Sequence, residues 1–248
     1  MLAIPKTAFV VFGRDPLADA RKRGWGEAGR TLFQTPTLPE SLLDRVPVYH
    51  FGIDRRAANA AKENLRGDSD KIHYRLQRGR DFGERLSNCL DDLAHAGHQS
   101  VILVGTDCPD LNDQDILKSY QALDAGGNAL GPDDKGGVYL IALQLSDRNC
   151  LNNVNWCQNI DFAQLNRRLA HRTLSVLETR IDLDDTADLQ RLVSTMQPAR
   201  LIDQISRLLS RIAQRPVTAV TTDTAHFDAR LWIRRMLKYR DAPPITLA

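Results

Sequence analysis

Cysteine is scarce in this chain. Its 248 residues hold four, Cys89, Cys108, Cys150 and Cys157, with no CxxC pair and no zinc-ribbon spacing. That sets aside a structural zinc site and a disulfide framework, and reduced thiols are expected. Long hydrophobic runs are missing too, so no segment reads as a membrane span. The formal net charge is only +2, too little to imply nucleic acid as a partner. There is no internal repeat and no low-complexity tract. The opening MLAIPKTAFVVFGRDP lacks a long apolar h-region and a small-residue cleavage site, so it reads as the first core strand of a cytoplasmic protein. His95 and His98 stand three apart, but Gly97 lies between them. A glycine there ends a helix, and histidine metal binding is set aside.

What is present is the composition of a soluble globular protein, 42% hydrophobic and 26% charged. AFVVF (8–12) and SVILVG (100–105) are apolar without alternation, as strands buried on both faces of a parallel sheet are. VPVYHF (46–51), IHYRLQ (72–77), NALG (128–131), VYLIAL (138–143) and TLSVLE (173–178) read as further strands. Between them, helices are predicted over 54–65, from Asp81 onward, over 113–123, 162–170 and across DTADLQRLVSTM. The helix after Asp81 places Phe82, Leu86, Cys89, Leu90 and Leu93 on one stripe, and Asn112 or Asp113 is a candidate N-cap for the next. Strands alternating with helices predict an α/β fold over about 1–196, with a mixed, mostly parallel sheet and Val101–Val104 central. Residues 197–248 read as a helical extension, ending in the basic helix FDARLWIRRMLKYR. Packing of that helix on the domain, or on a second copy as a homodimer, is expected because Trp232 is costly to leave wet.

The segment GPDDKGGVYLIAL (131–143) sets two acids, a lysine and two glycines at the mouth of a strand. It is either an ordinary turn or a site where glycines let a ligand approach the backbone. In open α/β sheets, ligands bind beyond the carboxyl ends of the strands, and Asp107 follows the strongest strand there. Asp182 and Asp184 are two apart in an extended segment and point the same way. Together with Asp107 they could hold a hard divalent cation. The alternative is that Asp184 or Asp185 caps the helix that follows.

VILVGTDCPDL, GPDDKGGVYLIAL, a following Trp and IDLDDTADL, in that order, resemble bacterial glycosyltransferase-like proteins of the nucleotide-diphospho-sugar transferase superfamily. These are related to the guanylyltransferase that activates 2-phospho-lactate and to molybdopterin nucleotidyltransferases. QRGRDFGERL (77–86) fits the same pattern, and the resemblance extends over about 5–196. It implies a Rossmann-like fold, a nucleotide or nucleotide sugar as ligand, an unidentified acceptor, and Mg²⁺ or Mn²⁺ as cofactor. By position it assigns Asp107, Lys135 and Asp81 to the catalytic group and Arg14, Lys22, Gly105, Gly136 and Gly137 to the nucleotide. Asp107, Asp182 and Asp184 fall to the metal, with Asp134 as a further candidate.

The sequence departs from that pattern in ways that bear on activity. Relatives carry a loop similar to K-A-P-x-P-G-x-x-K-T-R-L after the first strand; here Arg14, Pro16 and Lys22 match. The second Pro, the Gly and the Thr-Arg are replaced by Ala18, Asp19, Arg23 and Gly24. An acid usually precedes the Gly-Gly pair, and Lys135 stands there instead. Tyr-Tyr has become Val138-Tyr139, and Trp-Ser-Thr has become Trp156-Cys157-Gln158. The leading expectation is a glycosyl- or nucleotidyltransferase. The alternative is a diverged, non-catalytic protein that binds a nucleotide weakly or acts through partners. The lysine either repels a divalent cation or stands in for it by pairing with Asp107, unless Asp134 replaces the missing acid; weak metal binding is expected.

Overall fold

A computed structural model describes residues 6–33, 36–55, 72–195 and 208. The expected helix over 54–65 and the extension with its basic helix lie outside the described residues, apart from Asp54, Arg55 and Leu208. The chain divides into two compact units, Met1–Asp188 and Leu189–Ala248. In the second, the described Leu189, Leu192 and Leu208 are buried.

The first unit is built on a mixed sheet of seven strands in the order β3-β2-β1-β4-β6-β5-β7. These are β1 (Thr7–Gly13), β2 (Val48–Gly52), β3 (Ile72–Leu76), β4 (Ser100–Val104), β5 (Asn128–Pro132), β6 (Val138–Gln144) and β7 (Leu174–Val176). β6 runs antiparallel to β4 and β5, while the other pairings are parallel. Every residue of β1 and of β4 is buried, which explains why their sequences show no polar alternation. Val101–Val104 occupy the centre, as the apolar run predicts. β7 is three residues long, shorter than TLSVLE suggests, because only Leu174, Ser175 and Val176 pair with β5.

The pleat sends alternate side chains of the central strands into two separate cores. Val10 and Phe12 of β1, with Val101 and Leu103 of β4, meet Leu86, Cys89, Leu90 and Leu93 of the helix Phe82–His95. Phe9 and Val11, with Ile102 and Val104, meet Ile116 and Leu123 of the helix Asp113–Asp124. The first of these helices is capped by Asp81, whose side chain accepts the Glu84 N–H. The second is capped by Asn112 in a reciprocal box with Asp115. No helix among the described residues is long and apolar enough to cross a membrane.

Strand direction determines where a site can form. β1, β2 and β4 end at one edge of the sheet, and β5 and β7 are parallel to them, so they end there too. Because β6 runs the other way, it begins at that edge. The loops after β1, after β4, between β5 and β6, and after β7 therefore gather in one place.

Candidate functional site

A cleft of about 400 Å³ opens at this edge, lined among others by Arg14, Arg23, Asp107, Asp182, Asp184 and Trp156. Asp107 lies on the loop after β4, where its backbone carbonyl accepts the Leu183 N–H at 2.9 Å. That one bond fixes the spacing between Asp107 and the two carboxylates flanking Leu183. Farther back, Arg180 clamps the same segment to the helix Asp113–Asp124. Its Nε and Nη2 each donate to Asp115 at 3.1 Å, and the Asp115 side chain is 1% exposed.

The cation among these carboxylates is Arg23, a residue the motif comparison treats only as a departure. It follows the short helix Pro16–Lys22, which Asp15 caps by accepting the Leu17 N–H. Its guanidinium lies 3.2 Å from Asp184 and 3.7 Å from both Asp107 and Asp19. The Arg23 side chain is 9% exposed and stacks over Phe33 at 4.7 Å. Asp19 is buried on the same helix, and burial, reinforced by Asp107, raises its pKa. The acid and base that replace the expected loop residues thus form part of one charge network.

Lys135 is oriented differently from expectation. Its ammonium donates to Asp188 at 2.7 Å, to Asp184 at 2.9 Å and to the Asp182 carbonyl at 2.9 Å. It pairs with Asp184 and Asp188 rather than with Asp107, because the loop between β5 and β6 runs alongside the strand exit of β7. Asp133 bridges to Arg180 and the Asp134 N–H donates to the Arg180 carbonyl. Burial works against the lysine charge, but the two carboxylate hydrogen bonds outweigh it and its pKa is raised. Asp188 also accepts from the backbone of Asp184 and Asp185, and Asp185 accepts from Ala187 and Asp188. So Asp185 caps the helix Thr186–Thr195, and Asp184 remains turned to the cleft.

The two glycines have separate reasons. Gly136 has φ +100°, and a Cβ on it would lie 2.3 Å from the Asn159 carbonyl oxygen. A Cβ on Gly137 would lie 2.3 Å from an Asp133 carboxylate oxygen, since Asp133 folds back to accept the Lys135 and Gly137 N–H groups at 2.8 Å. The DDKGG segment is therefore a tight turn and a wall of the cleft at once. Gly137 and Asp133 line the cavity; Lys135, Gly136 and Asp134 do not. Asp134 is exposed and accepts the Asp182 N–H at 3.4 Å.

The donors a divalent ion would need are Asp107, Asp182 and Asp184, and they do not fit one as arranged. Arg23 holds Asp107 and Asp184, and Lys135 holds Asp184 from the other side. Burial, then the Asp107 and Asp184 charges, raise the Asp182 carboxyl well above its usual range. Among the described residues no three His, Cys, Asp or Glu side chains are grouped to hold a metal ion. A guanidinium and an ammonium take the positions where added positive charge would be stabilised.

Of the other residues singled out from sequence, Arg14, Lys22 and Gly105 line the cleft. Asp81 does not. It caps its helix and faces a separate polar groove with Glu84, Asn152 and Asn153, sharing only Phe82 and Trp156 with the cleft. Sequence reasoning missed Arg23, Arg85, Gln77 and Asp161, all of which line the cavity. Gln77 donates to the Gly13 and Phe51 carbonyls at 3.1 and 2.9 Å, tying the ends of β1 and β2. Its place at the head of QRGRDFGERL was the available signal. Arg23 Nε, Arg85 Nε and Asp161 Oδ1 are buried without a hydrogen-bond partner.

Comparison with known proteins adds to this geometry. Residues 41–158 match the family described as "Uncharacterized protein conserved in bacteria (DUF2064)". No curated protein matches the chain. A Desulfovibrio desulfuricans G20 protein named after the nucleotide-diphospho-sugar transferases shares the fold at TM-score 0.66 and 18% identity, over 84% of this chain and 98% of that one. A cytidylyltransferase from Leptospira borgpetersenii serovar Hardjo-bovis superposes with a TM-score of 0.48 at 12% identity, over 87% of this chain and 100% of the other. The chain thus shares a Rossmann-like fold with that Desulfovibrio protein.

Proposed function

We propose that the cleft binds a nucleotide or nucleotide sugar and that the protein is a glycosyl- or nucleotidyltransferase acting on that ligand. One observation carries the reading: Arg23 and Arg85 each bury an Nε–H with no acceptor, in a cleft also lined by Arg14 and Lys22. A buried guanidinium N–H without a partner is unfavourable in the free protein, and phosphate oxygens satisfy it with matched geometry. Phe12, Phe82 and Trp156 add the apolar surface that a base or sugar ring needs.

In this reading Arg14, Lys22 and Arg85 take the phosphates, with the Gly105 and Gly137 backbone close to them. Charge that develops on a departing diphosphate is stabilised by Arg23, held in place by Asp107 and Asp184. Lys135 acts from behind, keeping Asp184 in position. No step is assigned to a divalent ion, because the carboxylates that would bind one are engaged by these cations.

Calorimetry on the full-length protein with UDP, GDP and CTP, in metal-free buffer and with Mn²⁺, tests the reading. At least one nucleotide should bind without metal, and Arg85→Ala should weaken it about tenfold or more, the worth of a charge-assisted hydrogen bond. Flat titrations for all three nucleotides in both buffers would overturn it.

A further inference from the structure

Asp161 takes no part in the network around Arg23, yet it is a buried acid in the same cleft. It opens the helix Asp161–Arg168 and is 7% exposed. The backbone N–H groups of Cys157 and Gln158 face its carboxylate, with Cys157 donating to Oδ2 at 3.3 Å. Oδ1 is buried and has no partner.

The loop that presents it is held under strain. Cys157 and Asn159 have φ of 60° and 58°, in the left-handed region that asparagine enters readily and cysteine avoids. The neighbouring turn secures this conformation: Phe162 N–H donates to the Gly136 carbonyl at 3.1 Å, and the Asn159 carbonyl fills the space a Gly136 side chain would need. Strain of this kind persists where the surroundings over-determine it, and it collects at ligand sites. Here it fixes a carboxylate with one oxygen committed to the loop and the other left over.

We propose that Asp161 Oδ1 accepts a hydroxyl of the sugar carried by the bound nucleotide, which makes Asp161 a sugar-reading residue of the cleft. The inference rests on the nucleotide-sugar reading above and extends it. The unpaired groups in the cleft are two guanidinium N–H donors and one carboxylate acceptor, so the matching ligand is anionic at one part and offers a neutral donor at another. A sugar diphosphate has both. The two parts share one cleft, which Arg23, Arg85 and Asp161 all line.

The test compares UDP with UDP-glucose and GDP with GDP-mannose by calorimetry, on wild type, Asp161→Asn and Asp161→Ala. In the wild type the sugar should add affinity to at least one diphosphate. Asp161→Ala should bind that diphosphate within about twofold of wild type and lose about tenfold or more on the sugar form. Asp161→Asn keeps the side chain's shape and guards against a folding defect in the alanine variant; it should show a smaller loss of the same kind. If the diphosphates bind but the sugar adds nothing, or both variants keep the wild-type ratio, the role of Asp161 is overturned while the nucleotide reading stands. If neither the diphosphates nor their sugars bind wild type, the nucleotide reading itself falls.

Discussion

Lys135 donates to Asp188 at 2.7 Å, and the Asp188 side chain is 3% exposed. Removing the ammonium takes a 2.7 Å charge partner from a buried carboxylate, a loss that costs about 3–5 kcal/mol in other proteins. Lys135→Met should therefore lower stability by about that amount, measured by urea unfolding. Lys135→Asp should be worse, since it adds like charge to Asp184 and Asp188. A variant as stable as wild type would show that the other partners of Asp188 satisfy it without the ammonium.

Arg23 is the residue to change if metal binding is to be created. With its guanidinium gone, Asp107 and Asp184 lose a cation at 3.7 and 3.2 Å, and hard cations gain from freed carboxylates. Wild type is expected to bind Mn²⁺ weakly and Arg23→Gln about tenfold or more tightly, read by electron paramagnetic resonance of free Mn²⁺. Tight wild-type binding that Arg23→Gln leaves unchanged would contradict this.

The clamp between Arg180 and Asp115 ties the site to the fold. Asp115 is almost wholly enclosed and receives two guanidinium hydrogen bonds. Arg180→Ala should cost about 3 kcal/mol or more and also weaken nucleotide binding, because the segment carrying Asp182 and Asp184 loses its anchor. Unfolding curves and calorimetry on the same variant separate the two losses.

Gly136 should tolerate no side chain. Alanine there combines an unfavourable positive φ with a Cβ 2.3 Å from the Asn159 carbonyl. Gly136→Ala is expected to lower the melting temperature by several degrees, consistent with about 1–3 kcal/mol. Gly126 has a positive φ too but open space around its Cβ position, so Gly126→Ala is the control with the smaller effect.

His50 gives the fold a pH dependence. It lies in the sheet, 2% exposed, with Nδ1 unpartnered, and burial lowers its pKa to about 4. The unfolded chain titrates near 6.5, so between these values the unfolded state binds more protons. Stability is full above about pH 6.5 and falls as pH drops toward 4, by up to about 3 kcal/mol from this group. His50→Phe should flatten that slope in denaturation at pH 7.5 and 5.0; an equal slope would assign it to other groups.

Much of the fold was legible because burial leaves a plain mark on sequence. Strands enclosed on both faces, such as 8–12 and 101–104, must be apolar throughout, and the cap Asn112 stands directly before its helix. The meeting of Asp107 with Asp182 and Asp184 was also readable, since it follows from strand direction. The charge partners were not. Lys135 was expected beside Asp107 because both flank the strand exits, but which carboxylate an ammonium reaches depends on how the 133–137 turn lies along 180–184. Arg23 was hidden for a similar reason: it sits one residue beyond a matched motif position, and only the turn of a short helix brings it among the acids. Asp161 precedes the predicted helix 162–170 and was not singled out, and its unpaired oxygen exists only in three dimensions.

Gly83 and Trp156 lie against each other. A Cβ on Gly83 would fall 2.8 Å from the Trp156 ring, and the ring packs against Phe82 at 5.4 Å in the wall common to the cleft and the neighbouring groove. The glycine in the first turn of a helix is thus a receipt for an indole far along the chain. A side chain at position 83 would require the indole to move. Any related sequence carrying a side chain in place of Gly83 should have given up the tryptophan, and with it the partition that keeps the two cavities apart.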